Sequence, residues 1–303
     1  MPPIFFPSRP FRSSLAPAAV ARACAALLCA ATLALVGGCA GRPEAPILER
    51  LLGSEASSTK ARLDLLLPTD VLLLGEQHDA REHHLIEQQV ISLLAGRGLL
   101  AALTLEMADV GATTAKLKPS ASAEQARRAL QWDEKSWPWA SYEPAVMTAV
   151  RAGVPVLGAN LPRSQVAGSM DDRQLDARLA GPALKAQQQA IRIGHCQLLP
   201  ESQISPMTRV QIARDITMAD TLRQVAFPGK VAVLLAGNGH VDRTLGVAQH
   251  LSGDLTARAV SLRAGAGADL PQAFDAVWIT PALPGRDHCT ELKAQLASKP
   301  DSP

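Results

Sequence analysis

Aromatic residues are scarce in this chain: they make up 3% of 303 residues and include a single tyrosine. Charge of one sign is not in excess either, with 30 Lys and Arg against 28 Asp and Glu, so no basic field invites nucleic acid or another polyanion. Five cysteines are too few for a disulfide-dense mini-protein. None forms a C-x-x-C pair, which removes thioredoxin-like redox chemistry and a four-thiolate zinc site. H-E-x-x-H, G-x-S-x-G and a Walker loop are absent, so the common peptidase, serine esterase and P-loop routes lose support. What is present, 47% hydrophobic against 19% charged residues, is the composition of a folding chain.

The one extended apolar run lies near the start. Residues 1–38 carry Arg9, Arg12 and Arg22 and no acid, then an unbroken stretch from Ala23 to Val36, then small residues before Cys39. This is the pattern of an export signal, and the run is shorter than the roughly 20 apolar residues that span a bilayer. Removing those three cations takes the formal charge from +2 to −1. The ending Val36-Gly37-Gly38-Cys39 resembles a bacterial lipoprotein cleavage site, which makes Cys39 an acylated first residue and the membrane a partner through its lipid. An ordinary signal peptide cut nearby is the alternative. By the same resemblance, Ala40 in place of Asp favours an outer-membrane, periplasm-facing location. Cys24 and Cys29 leave with the leader. An oxidising compartment permits a bond between the remaining Cys196 and Cys289, and two isolated buried thiols are the alternative.

Residues 39–60 read as a tether. Short apolar runs then recur at Val71–Leu74, Leu99–Leu105, Val154–Leu157, Val231–Leu235, Ala257–Leu262 and Ala276–Ile279, the signature of strands buried on both faces. Between the first two, Asp79 to Leu94 places Leu85, Ile86, Val90, Leu93 and Leu94 on one helical face, and strand-helix-strand order implies a parallel sheet. Helical insertions are expected at about 113–152 and 165–226, punctuated by Pro138, Pro144, Pro162, Pro182, Pro200 and Pro206. The expected architecture is a three-layer α/β core over residues 61–280, with a mainly parallel sheet, a smaller helical subdomain and a flexible tail at 281–303.

In such sheets ligands gather beyond the carboxyl ends of the strands. The ends here are Gly75-Glu76-Gln77-His78, Leu105-Glu106, Gly158-Ala159-Asn160 and Gly237-Asn238-Gly239-His240. Two are G-x-x-H, where glycine is expected to let the chain turn sharply out of a strand. Two such corners aim His78 and His240 at one cleft, with Glu76 and Glu106 as its acids. His83 and His84 follow on the next helix, where a solvated position is the plain alternative because consecutive helical residues diverge; Gln88 neighbours His84 at i+4.

Trp132, Trp137, Trp139 and Tyr142 crowd into 11 positions. A small helical core accounts for such a cluster. A flat apolar ligand does too: a porphyrin needs broad nonpolar contact, cations for its propionates and an axial donor, a role tyrosine fills in some haem proteins. Arg151 and Arg163 flank the cluster.

The blocks LLLGEQHDAREHHLIEQQ, LTLEM, SYEPAV with GVPVLGANLPR, MTRVQIARDITMAD and LLAGNGHVDRTLGVAQHL together resemble the ChaN-like haem-binding lipoproteins of the Tiki, TraB and erythromycin esterase superfamily, across most of residues 65–255. The resemblance implies haem held cofacially at a homodimer interface and a role in haem or iron uptake beside an outer-membrane haem receptor. It implies Tyr142 as the iron donor and a histidine assisting it. Glu76, His78, Glu106 and His240 carry over as the shared site, His84, Asn160 and Arg163 lie beside it, and Arg214 and Asp215 match a later helix. Ala248 stands where many relatives have proline. The same residues suit a second function, a metal-assisted or His/Glu-dependent hydrolase, and a scaffold with a vestigial cleft is a third.

Overall fold

The computed structural model describes residues 58–265, 272–285 and 287–297. Cys39 and the 1–38 leader lie outside them. All described residues belong to one compact unit, and none of their helices is long and apolar enough to cross a membrane.

The first element of the described residues is a short helix, α1 (Thr59–Asp64), whose first turn is capped by Ser58 accepting from the Ala61 amide. Then come β1 (Val71–Glu76), α2 (Arg81–Gly96), β2 (Leu100–Asp109), α3 (Ala123–Ala129), α4 (Trp139–Arg151) and β3 (Val156–Asn160). The helices α5 (Arg163–Asp171), α6 (Gly181–Gly194) and α7 (Glu201–Val225) lead to β4 (Val231–Gly237), the one-turn α8 (Asn238–Val241), β5 (Ala257–Ala264), β6 (Ala276–Thr280) and α9 (His288–Ala297). Each expected apolar run is a strand. They form one six-stranded, all-parallel sheet in the order β3-β2-β4-β1-β5-β6.

The strands read as continuous apolar runs because both faces are covered, so neither parity of the alternating side chains has to be polar. Leu72, Leu74, Leu103, Leu105, Val233 and Leu235 face a core shared with α2 and α4. Val71, Leu73, Ala232, Leu234 and Ala236 face a second core closed by Met218, Ala219 and Leu222 of α7. Two cores on opposite sides of one sheet make the three layers. Each fully buried leucine contributes roughly 2 kcal/mol of transfer free energy.

The prolines divide into two kinds. Pro138, Pro162 and Pro200 are the residues that open α4, α5 and α7, and Pro182 sits in the first turn of α6, where its missing N–H costs nothing. Pro144 and Pro206, read as breakers, lie inside α4 and α7; both sit within the first two turns, where few intrahelical bonds precede them to be lost. On α2, Val90 and Leu94 are buried as expected, but Leu85 is 44% exposed, and the inward face includes His83, His84 and Glu87 instead.

The segment read as a flexible tail carries α9, and Cys289 on it is bonded to Cys196 just past α6, across 93 residues of sequence. Closing a loop of that length restricts the unfolded chain and is expected to contribute about 2–4 kcal/mol. Replacing both cysteines by serine should lower the unfolding free energy from denaturant titration by that amount, and with it the midpoint, without changing the far-ultraviolet circular dichroism. An unchanged midpoint would count against this bond as a stabilising element.

Candidate functional site

Strand order brings the ends of β2, β4 and β1 side by side, with Glu76 paired in register to Gly237 and Glu106 accepting a 2.7 Å hydrogen bond from the Gly237 amide. The chain leaves β1 toward one edge of the sheet and leaves β4 toward the other, so this is the point where the strand order reverses and a crevice opens. The glycines act by closeness rather than by turning. Gly75 lies inside β1, and a methyl there would overlap Val241 and Asn238. Gly237 has an ordinary extended backbone, and a methyl on it would stand 2.9 Å from His78 Nε2. Asn238 fixes the second corner to β5, donating to the Leu262 carbonyl and accepting from Ser261.

The two corners converge. Glu76, only 2% exposed, accepts through Oε1 from the Tyr142 hydroxyl at 2.6 Å and pairs with His78 Nδ1 at 2.6 Å. His78 Nε2 stands 3.8 Å from Glu106 Oε2, and Glu106 Oε1 stands 3.4 Å from His240 Nε2. His240 Nδ1 pairs with Asp215 of α7 at 2.6 Å, and Gln211, one turn earlier on α7, contacts the same ring. The result is an alternating series, phenol, carboxylate, imidazole, carboxylate, imidazole, carboxylate, most of it out of water. Burial opposes every charge in it. For Glu76, partners at His78 and His84 outweigh burial and hold the carboxyl well below its usual range. For Glu106, His240 and His78 do so and bring it to about 2. His240 is pushed up to about 10 against its burial by Glu106 and Asp215, while burial wins for Asp215, which rises to about 6. His78 is also raised, burial being outweighed by Glu76 and Glu106. At neutral pH His240 is therefore an imidazolium.

Both histidines of the HH pair are buried, not solvated, and they diverge as helix geometry requires. His83 accepts from the Gln77 amide and meets Thr280 of β6, so it ties the corner to the sheet. His84 turns the other way, its Nε2 3.3 Å from Glu76 Oε2 and its ring 4.9 Å from that of Tyr142. Glu87, three residues along α2 and missed in reading the sequence, completes this inner face; the i, i+3 spacing from His84 was the available signal. Burial and the neighbouring Glu76 charge push Glu87 far above the carboxylate range, so it holds its proton.

Most of the aromatic cluster is core. Trp132, Trp139 and Tyr142 are at most 9% exposed; Trp132 packs edge to face on Trp139 and lies tilted against Tyr142. Tyr142, expected as the iron donor, is 1% exposed with its hydroxyl hydrogen-bonded to Glu76, and burial together with the charge of Glu76 drives its ionisation far above the ordinary value. Trp137 differs, standing as a wall between two cavities. The first, about 630 Å³, is bounded by Leu85, Trp137, Pro138 and Pro144, with His78, His84, Arg81 and Gln88 among its lining. His78 contacts Trp137 edge-on at 4.7 Å. The second, about 710 Å³, is more polar and holds Glu106, Asp109, Asn160, Arg163 and Arg214. Arg151, at the far end of α4, is exposed and lines neither.

Fold and site together define a class: a parallel-sheet protein with a ligand crevice at its strand ends, walled by tryptophan and floored by paired acids and imidazoles. The chain belongs to the family described as haem-binding uptake, Tiki superfamily, ChaN, whose model matches residues 63–251. Among solved structures it is similar to ChaN of Campylobacter jejuni, described for cofacial haem binding, at 27% identity and a TM-score of 0.62 over 73% of this chain and 91% of that one. It is also similar to the type III effector HopBA1, at 15% identity and TM-score 0.42 over 71% of this chain and 88% of that one. A mutant of the erythromycin esterase EreC stands at 16% identity and TM-score 0.42 over 70% of this chain and 75% of that one. None of the curated proteins compared with the chain matches it.

The buried pairs make stability depend on pH. His240 is raised from 6.5 to about 10, so its contribution is complete below 6.5 and is lost as pH rises through about 10. Glu106 is lowered from 4.5 to about 2, so its contribution is present above 4.5 and is lost as pH falls through about 2. Asp215, raised from 3.8 to about 6, costs stability as pH rises through that range and no longer changes above about 7. Between pH 7 and 10 the denaturant midpoint should therefore fall, and His240→Asn should flatten that fall while lowering stability at pH 6. Equal slopes in the two proteins would contradict the assignment.

Proposed function

We propose that this chain is a haem-binding lipoprotein of haem or iron uptake, anchored through Cys39 to the outer membrane and facing the periplasm. The observation that carries the reading is the apolar cavity beside Trp137, into whose lining the cluster sends a histidine backed by a carboxylate. Haem requires a broad nonpolar wall, an axial donor and cations for its propionates. Leu85, Trp137, Pro138 and Pro144 supply the wall. The donor is His78, the more open of the two lining histidines, with its side chain 36% exposed against 9% for His84. Glu76 holds its Nδ1, which fixes the ring and raises the basicity of Nε2. Nε2 is 3.8 Å from Glu106 Oε2, beyond hydrogen-bond reach, and is the nitrogen left for a ligand. Arg81 stands at the cavity, and Arg163 and Arg214 lie past Trp137, where they suit propionates. Tyr142 takes a positioning role, holding Glu76. A cavity open on one side leaves the outer face of a bound haem to a second copy of this chain, as the cofacial binding described for ChaN of Campylobacter jejuni would require. An outer-membrane haem receptor is the partner such a carrier would serve.

Titration of haemin into soluble protein lacking the leader and Cys39 should produce a Soret band. His78→Ala should weaken binding at least tenfold and shift the band, whereas Tyr142→Phe should retain it. The reverse pattern would return the donor role to the phenol, and no band in the unsubstituted protein would remove the proposal.

A second reading, a hydrolase, is favoured by one feature: Glu106 reaches the polar second cavity while paired with His240. Because His240 is charged at neutral pH, it would stabilise developing negative charge rather than accept a proton, and the ionised Glu106 would orient the attacking water.

A further inference from the structure

Around Glu76, three buried polar atoms, Glu76 Oε2, His84 Nε2 and Glu87 Oε1, have no hydrogen-bond partner outside their own group. Their residues are 2%, 8% and 1% exposed, and ligand-type atoms of these three residues lie within 4.8 Å of one another. Leaving one buried polar atom unsatisfied costs roughly 1–3 kcal/mol, so three converging on one point call for an occupant. Glu87, sealed in apolar surroundings with Val90, Ile91 and Leu94 on the same helix face, shares its proton with Glu76, the place a cation would take.

We propose that Glu76, His84 and Glu87 form a binding site for a divalent first-row transition ion, separate from the His78–Glu106–His240 cluster and sharing only Glu76 with it. Once the ion has displaced the proton that Glu87 holds, one imidazole and two carboxylates form a neutral set around a dication, and cation binding would satisfy all three atoms at once. The 3.3 Å between His84 Nε2 and Glu76 Oε2 is about the edge of a tetrahedron with bonds near 2.0–2.1 Å. The nitrogen donor selects against magnesium and calcium, and the absence of a thiolate selects against monovalent copper. The backbone supports the geometry: α2 sets His84 and Glu87 on one face, and the end of β1 presents Glu76 to that face. His84 also lines the apolar cavity, which gives the ion a path of entry and a side for a fourth, solvent-derived ligand. Glu76 would then serve the ion through Oε2 while Oε1 continues to hold Tyr142 and His78, so the site stiffens the acid on which the outer histidine depends. This site does not depend on haem.

The test uses the haem-free full chain, purified without chelator, stripped, and titrated with zinc and separately with cobalt. One zinc per chain is expected, with Glu87→Gln and His84→Ala each weakening binding at least tenfold, and cobalt should give visible d–d bands that His84→Ala alters. Should a variant fail to fold, the cobalt spectrum of the unsubstituted protein still decides, because a nitrogen- and oxygen-ligated low-coordinate ion absorbs far more strongly than a hydrated one. No stoichiometric zinc in the unsubstituted protein overturns the proposal. So does zinc that survives Glu87→Gln and is lost in His240→Ala, which would place the ion in the outer cluster.

Discussion

Two carboxylates are carried toward the carboxyl ends of β1 and β2, the strands on either side of β4, into a place water does not reach, and the rest of the site is arranged to make that tolerable. An isolated ionised carboxylate in an apolar interior is prohibitively costly. Glu76 and Glu106 remain ionised because each is met by imidazole and by a neutral donor, Tyr142 for the first and the Gly237 amide for the second. The corner glycines follow from the same demand, since Gly237 has no side chain where His78 must lie. Removing any one partner leaves a buried charge without compensation, so the group stands or falls together.

The arrangement separates the roles of chemically similar residues. His240 and Asp215 sit deep behind Glu106, which faces the polar cavity. His78 sits at the surface of the same group with one nitrogen engaged and one left over. His83, adjacent in sequence to His84, has been diverted to fastening the first corner to β6. Trp137 divides apolar from polar space, and its three aromatic neighbours in the chain hold the layer behind it. The family relationship and the cavity beside Trp137 bear on the same ligand.

Legibility followed burial. Strands covered on both faces write themselves as unbroken Val, Leu and Ala runs, so Val71–Leu74 and Val231–Leu235 were readable, and G-x-x-H at the end of each located the crevice. The reason for the glycines was not readable, because room for a neighbour and freedom to turn are spelled with the same residue. Tyr142 was placed near the site correctly, but whether its hydroxyl faced a ligand or a carboxylate depends on Glu76, 66 positions away. The inward face of α2 was misjudged at Leu85 because apolar periodicity takes no account of buried His84 and Glu87, which belong inside only once Glu76 is there to meet them. The helix within the tail, likewise, carries Cys289, whose partner Cys196 stands 93 positions earlier in the sequence.

That crosslink has a topological consequence. The covalent ring closed between residues 196 and 289 encloses α7, β4, β5 and β6, and with them Gln211, Asp215 and His240, while Glu76, His78, Glu106 and Tyr142 belong to the open portion of the chain. Each acid–imidazole contact of Glu106 with His240 is thus a junction between a cyclised half and a linear half, and the crevice comes into being only where those halves interlock.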